Sequence, residues 1–232
     1  SLYDAAAWFS TGLGDLHSHD AQIACLPCGF TEELWRELIH MDVSLCFNDV
    51  SRHLSAAAAN ILVFANPVLP HSEGEVRLQS VDPAVHPDIR MNYFADPHDL
   101  KVMIAVLRRT FEIVRNWPGQ GCIGPWLAPP LLAAKHGYTE GDTPSDALLE
   151  DLALHFSITV YHLTSTCRMR SVVDSQLRVA GVDRLRVADA SVMPNVVSGN
   201  TNAACIMIGE KAAEMIAVKH SVRLAAFVGT SR

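Results

Sequence analysis

Apolar and polar residues alternate along the chain with two periods, and these predict its elements. Residues 5–9, Ala-Ala-Ala-Trp-Phe, form an apolar patch, followed by a loop of Gly, His and Asp. Residues 22–26 read as a strand. Residues 59–66 read as a buried strand that Pro67 stops. Over residues 72–80, Val76 and Leu78 alternate with polar neighbours, which is the period of a half-buried strand. Asp82-Pro83 and His86-Pro87-Asp88 are turn signals. A threonine-capped helix is predicted for residues 31–40 and an Asp96-capped helix for 98–116, with Leu100, Met103, Ile104, Leu107, Phe111 and Val114 in one stripe. Residues 117–145, rich in Gly and Pro, read as a long loop, and a helix follows over 145–155. Residues 185–188 are strand-like. A helix over 203–218 carries Ile206, Met207, Ala213, Ile216 and Ala217 near one face.

The 232 residues are 49% hydrophobic and 19% charged, enough to bury a core in one large domain or two small ones. The formal charge of −7 comes without long acidic or basic runs, so no nucleic-acid footprint is expected. No run of about 18 apolar residues predicts a membrane span. Ser1-Leu2-Tyr3-Asp4 shows no signal-peptide core and reads as a start in mid-protein. Six cysteines are scattered through the chain, a usage that fits a reducing, cytoplasmic compartment. Cys25-Leu-Pro-Cys28 has the spacing of half a zinc site, but no second pair completes four ligands, so no metal is expected.

Gly119-Gln-Gly121-Cys-Ile-Gly124 satisfies the letter of the dinucleotide-binding fingerprint. Trp117-Pro118 before it and Pro125-Trp126 after it deny the strand and helix that the fingerprint needs. Ser198-Gly199-Asn200-Thr201-Asn202 is more telling, because it stands directly before an apolar helix. Ser, Thr and Asn are cap residues, and a helix start favours negative charge. That segment is a plausible seat for an anion or a polarised carbonyl. On physical grounds alone, His162 reads first as a hydrogen-bonded core histidine, and a turn or cap residue is the alternative reading of Asp189.

The whole of residues 161–217 has an ordered set of motifs. It runs Tyr161-His162-Leu-Thr-Ser-Thr-Cys167-Arg168-Met169, Val173-Asp174, Leu177-Arg178-Val179, Leu185-Arg-Val-Ala-Asp189-Ala190-Ser191-Val-Met193-Pro194, Ser198-Gly-Asn-Thr-Asn202 and Met207-Ile-Gly-Glu-Lys211. This stretch resembles the C-terminal signature of the glucose-methanol-choline (GMC) flavoprotein oxidoreductases, in which His-Pro-x-Gly-Thr-Cys-Arg-Met-Gly opens the series. Upstream, Ser72-Glu-Gly-Glu-Val-Arg-Leu-Gln-Ser80, Asp82-Pro83, Asn92-Tyr93-Phe94 and Asp20-Ala-Gln22-Ile23 are similar to further family motifs. Departures are Leu163 and Ser165 where Pro and Gly are usual, Arg170 for a common Gly, and Glu73 for a usual Arg.

The resemblance implies an α+β fold. An antiparallel sheet flanked by helices would form a substrate-binding domain over residues 1–158. Residues 159–232 would hold the catalytic histidine loop and a strand and helix that belong to an FAD-binding, Rossmann-like domain missing from this chain. It implies FAD as cofactor, a small-molecule alcohol as substrate, and an N-terminal FAD-binding segment or chain as partner. His162 matches the family's general base and Asn200 its second catalytic position. Asp189, Ala190, Asn200, Thr201 and Asn202 match flavin-contacting positions. The same scaffold also hosts hydroxynitrile lyases and a photodecarboxylase, and a non-catalytic subunit or fragment is the remaining alternative. Trp117, Trp126 and Tyr138 stand equally for pocket lining or for ordinary packing.

Overall fold

The structure, a computed structural model, describes residues 5–14, 19–26, 61–118, 124, 126 and 128–222. The helix expected over 31–40, Cys28, Cys46 and Cys122, and all of the Gly119–Gly124 run but its last residue lie outside them. The chain divides into two compact units, residues 1–75 with 89–158 and residues 76–88 with 159–232.

The first unit is built on an antiparallel sheet of order β1-β2-β3, with β1 Ala5–Phe9, β2 Ala21–Leu26 and β3 Leu62–Pro67. The apolar patch at residues 5–9 is thus a strand, paired from Ala5↔Cys25 to Phe9↔Ala21. β2 is the central, buried strand. β3, expected to be buried, is half-buried, and among the described residues it lies at the sheet's edge. Pro67 is its last residue, opposite Ala21, and at an edge the missing N–H costs no ladder bond. Helix α1 (Pro97–Arg115) covers the sheet: Val102 and Val106 pack with Ala21 and Ile23, against Phe9, Val63 and Ala65. Its start follows from sequence, since the Asp96 side chain accepts from His98 N and Pro97 occupies the first turn. Asp99, 4% exposed, accepts from His71 N (2.8 Å) and Ser72 N (2.7 Å) and so ties the chain after β3 to the helix start.

The expected single sheet over 20–94 is in fact two. β4 (Glu75–Arg77) and β5 (Asp88–Arg90) form a separate two-stranded sheet, because the turns at Asp82-Pro83 and His86-Pro87 fold this segment back on itself. Gly74 allows the close approach there: a Cβ would stand 2.3 Å from the Arg90 carbonyl oxygen.

The expected 117–145 loop contains a helix, α2 (Pro130–His136). Pro130 sits in its first turn, and Gly137 ends it in a left-handed conformation with φ 60°, the usual asymmetry of helix ends. Trp126 packs edge-on against Phe111 of α1 and against Tyr138, with centroids 4.9 and 5.3 Å apart, while Trp117 is 48% exposed. Two of the three aromatics are thus packing residues. Helix α3 (Asp146–Phe156) starts at Ser145, whose hydroxyl accepts from Leu148 N, and buries Leu148 and Leu149 completely.

The second unit has little regular structure. Residues 185–187 do not form a full strand. They pair with 177–179 through an antiparallel Arg178↔Arg186 bridge and the bonds Val179 N to Leu185 O and Val187 N to Leu177 O. Helix α4 (Asn202–Lys219) packs Ile208 and Ala212 into a core with Val173, Leu177, Val192 and Met193. The helix stands where the pattern places it, but its packed face is different. Ile206, Met207 and Ile216, expected near one face with Ala217, are exposed. Apolar residues surround this helix, so periodicity alone does not choose the face that packs inward.

Candidate active site

Three segments of the second unit build the candidate site. Residues 165–169 run beside a short 3-10 helix, Ala190–Val192, through Ser165 N to Ala190 O (3.4 Å), Cys167 N to Ser191 O (2.9 Å) and Met169 N to Val192 O (3.0 Å). Val192 and Met193 are buried in the core that also holds α4. The histidine loop and the start of α4 are therefore fixed on one packed base.

His162 leaves this base through a strained turn. Its N–H donates to Thr159 O, and Val160 and Tyr161 between them have φ of 49° and 61°. Positive φ at a β-branched valine is a true outlier, and such strain concentrates at functional sites. Ser165 and Arg170, which replace family glycines, have φ of 76° and 74°. The loop thus keeps a backbone shape that suits glycine, although the side chains have changed.

The imidazole is held at both nitrogens. Thr201 Oγ1 lies 2.9 Å from Nδ1, and Asn200 Nδ2 lies 2.8 Å from Nε2. Residues 38 and 39 positions apart meet here. His162 is half-buried, Thr201 is buried and Asn200 is exposed. Burial holds the imidazole below its ordinary pKa, because loss of water penalises the charged ring. The neutral, proton-accepting form is favoured near pH 7.

The other expected site residues divide. Asn202 begins α4 and is exposed. The Asp189 carboxylate is engaged within its own turn: it caps the 3-10 helix, accepting from Ser191 N at 2.8 Å and from Ser191 Oγ at 2.5 Å. Ala190 packs against the core. What the sequence did not reveal is the bond from Thr201 to His162, since nothing in the local pattern of either segment refers to the other. Among the described residues, no three His, Cys, Asp or Glu side chains group as a metal site, and no helix is long and apolar enough to cross a membrane.

Comparison with known proteins decides the family. The family model described as GMC oxidoreductase matches residues 70–209, more than half of the chain. The chain belongs to the GMC oxidoreductase family. Enzymes of this family are FAD-dependent oxidoreductases. An uncharacterized GMC-type oxidoreductase of Mycobacterium bovis is 43% identical over 155 residues, covering 64% of this chain and 28% of that protein. A protein of Pseudomonas putida named alcohol dehydrogenase [acceptor] is 40% identical over 161 residues, 66% of this chain and 26% of its own length. Among solved structures, an FAD-dependent oxidoreductase from Chaetomium thermophilum superposes with a TM-score of 0.61 at 25% identity, covering 72% of this chain and 28% of that one. Pyridoxine 4-oxidase shares the fold, with a TM-score of 0.68 at 21% identity over 97% of this chain and 39% of that one. The chain thus spans under a third of the length of the curated relatives it matches.

Proposed function

We propose that this GMC chain supplies the base-bearing part of an FAD-dependent oxidoreductase that acts on an alcohol. The observation that carries the reading is the His162–Asn200 contact at 2.8 Å. It joins a half-buried imidazole, held neutral by its surroundings, to an exposed amide N–H donor. An alcohol oxygen that displaces this contact and bonds both groups would give its proton to His162 Nε2, while the Asn200 amide donates a hydrogen bond to the oxygen as negative charge develops there. Relatives named alcohol dehydrogenase and oxygen-dependent choline dehydrogenase support an alcohol substrate.

The residues present fit a flavin. α4 starts without a side-chain cap and without an acidic residue in its first turn, and the exposed amides of Asn200 and Asn202 flank that start. This surface offers donors and the positive end of a helix to an electron-rich ring edge. Asn200 and Asn202 would contribute side chains, Thr201 its place in the backbone, and Asp189 and Ala190 the neighbouring turn. Bound FAD would supply the hydride acceptor. We assign residues 1–158 to substrate binding and 159–232 to the catalytic loop and the return to the flavin-binding part. Exposed apolar residues of α4, Ile206, Met207 and Ile216, would be covered by that part.

The test joins the chain to a flavin-binding N-terminal segment and follows anaerobic bleaching of FAD by an alcohol. His162→Ala, folded and FAD-loaded, should bleach about 10²-fold or more slowly. Asn200→Ala should lose less, with roughly 10² as its upper range. Bleaching at the wild-type rate in His162→Ala would remove the base role.

A further inference from the structure

Thr201 stands at the cap position of α4, yet it does not cap. Its backbone is helical (φ −78°, ψ −11°) and its side chain makes no cap bond. The hydroxyl goes instead to His162 Nδ1 at 2.9 Å, and the residue is only 5% exposed. A threonine at a helix start ordinarily satisfies an early backbone N–H. Here that contribution is given up for a contact with the imidazole.

The opposite side of the ring fixes what this contact means. The Asn200 amide nitrogen, 2.8 Å from Nε2, only donates. In the neutral ring, Nε2 must then carry the lone pair and Nδ1 the proton. The acceptor for that proton is the Thr201 hydroxyl oxygen. Which nitrogen of a histidine is protonated follows from the bond that the other nitrogen makes.

We infer that Thr201 is a positioning residue for His162: its buried hydroxyl oxygen accepts a hydrogen bond from Nδ1–H and favours the tautomer in which Nε2 bears the lone pair that takes a proton. This deepens the reading of His162 as base and rests on it. When the alcohol proton moves to Nε2, the resulting imidazolium keeps the same Nδ1–H bond to Thr201, so nothing on that side of the ring rearranges.

The test reads the tautomer directly. The chain, joined to its flavin-binding segment and labelled with 15N-histidine, is observed by long-range proton–nitrogen spectroscopy above pH 7, and the His162 signals are assigned by their loss in His162→Gln. Wild type and Thr201→Ser should show Nδ1 protonated and Nε2 bare. Thr201→Val, which keeps the shape and removes the hydroxyl, leaves Nδ1–H without an acceptor; the Asn200 amide should then turn its oxygen to the ring, population should shift to the Nε2–H form and bleaching should slow roughly tenfold, and Thr201→Ser should restore it. A wild-type Nε2–H tautomer would overturn the inference even if Thr201→Val fails to fold. So would a tautomer unchanged in Thr201→Val. Failure of the base reading shows separately, as wild-type bleaching in His162→Ala with the tautomer as expected.

Discussion

Helix α1 in the first unit turns Val102 and Val106 into the sheet and leaves Lys101, Arg109 and Glu112 exposed. Helix α4 in the second unit packs Ile208 and Ala212 inward, yet Ile206 is 59%, Met207 54% and Ile216 43% exposed. The backbones differ in the same sense. Among the described residues, nine other than glycine have positive φ. Only Asn92 and Phe94 belong to the first unit, and the remaining seven, from Val160 to Ser221, belong to the second. The first unit is built from regular elements that share a packed core, although Trp8, Leu131 and Leu154 stay exposed. The second is an irregular frame that holds His162, Asn200 and Thr201 at bonding distance and carries apolar surface beyond what its own core uses. Backbone strain costs stability, and among the described residues most of it lies in the unit that holds the candidate chemistry.

The largest effect that tests this contrast is in the first unit. Leu148 is wholly buried in α3, so Leu148→Ala should cost about 2–5 kcal/mol, the transfer term plus the cavity left behind. Urea unfolding should show the midpoint fall while the bonds around His162 remain in the part that stays folded. An effect below about 1 kcal/mol would mean that the first unit is not the tightly packed one.

A smaller effect of opposite sign is expected in the second unit. A side chain in the left-handed region costs about 1–2 kcal/mol, and glycine returns part of that gain as entropy of the unfolded chain. Ser165→Gly and Arg170→Gly should each therefore stabilise by roughly 0.5–1 kcal/mol, read from the same unfolding curves. Destabilisation by either would show that the loop is not strained at that position.

These two positions also show what the sequence made legible. Ser165 and Arg170 stood out only because the motif that this stretch resembles has glycine there, and their positive φ is a conformation that suits glycine. Helices α1 and α3 could be read because Asp96-Pro97 and Ser145 are local caps, and β2 because all of its run but Gln22 is apolar. α2 was missed although Pro130 and Gly137 bracket it, since the density of Gly and Pro around it read as loop. The inward face of α4 could not be read, because a helix apolar on several sides has no single moment. The motifs put His162 and Asn200 in one chemistry, but Thr201 joins His162 only through a contact across 39 positions. No local rule of spacing reports such a contact. Asp189 shows the converse: residue type allowed a cap as the alternative to the flavin contact that the resemblance implies, and its carboxylate is bonded within its own turn.

The most direct measurement is the pH dependence of anaerobic FAD bleaching by an alcohol in the FAD-loaded protein. Burial lowers the His162 pKa, so the folded ring stays neutral below the ordinary histidine value of about 6.5. The sign for stability follows. Above about 6.5 the ring is neutral in both states; as pH falls through that value toward the folded pKa, the unfolded chain takes the proton first and stability is lost. For bleaching, the rate should be flat near pH 7 and fall on an acid limb centred below about 6.5, and that limb should be absent from the slow residual rate of His162→Ala. An acid limb that persists unchanged in His162→Ala would contradict the assignment of His162 as the base.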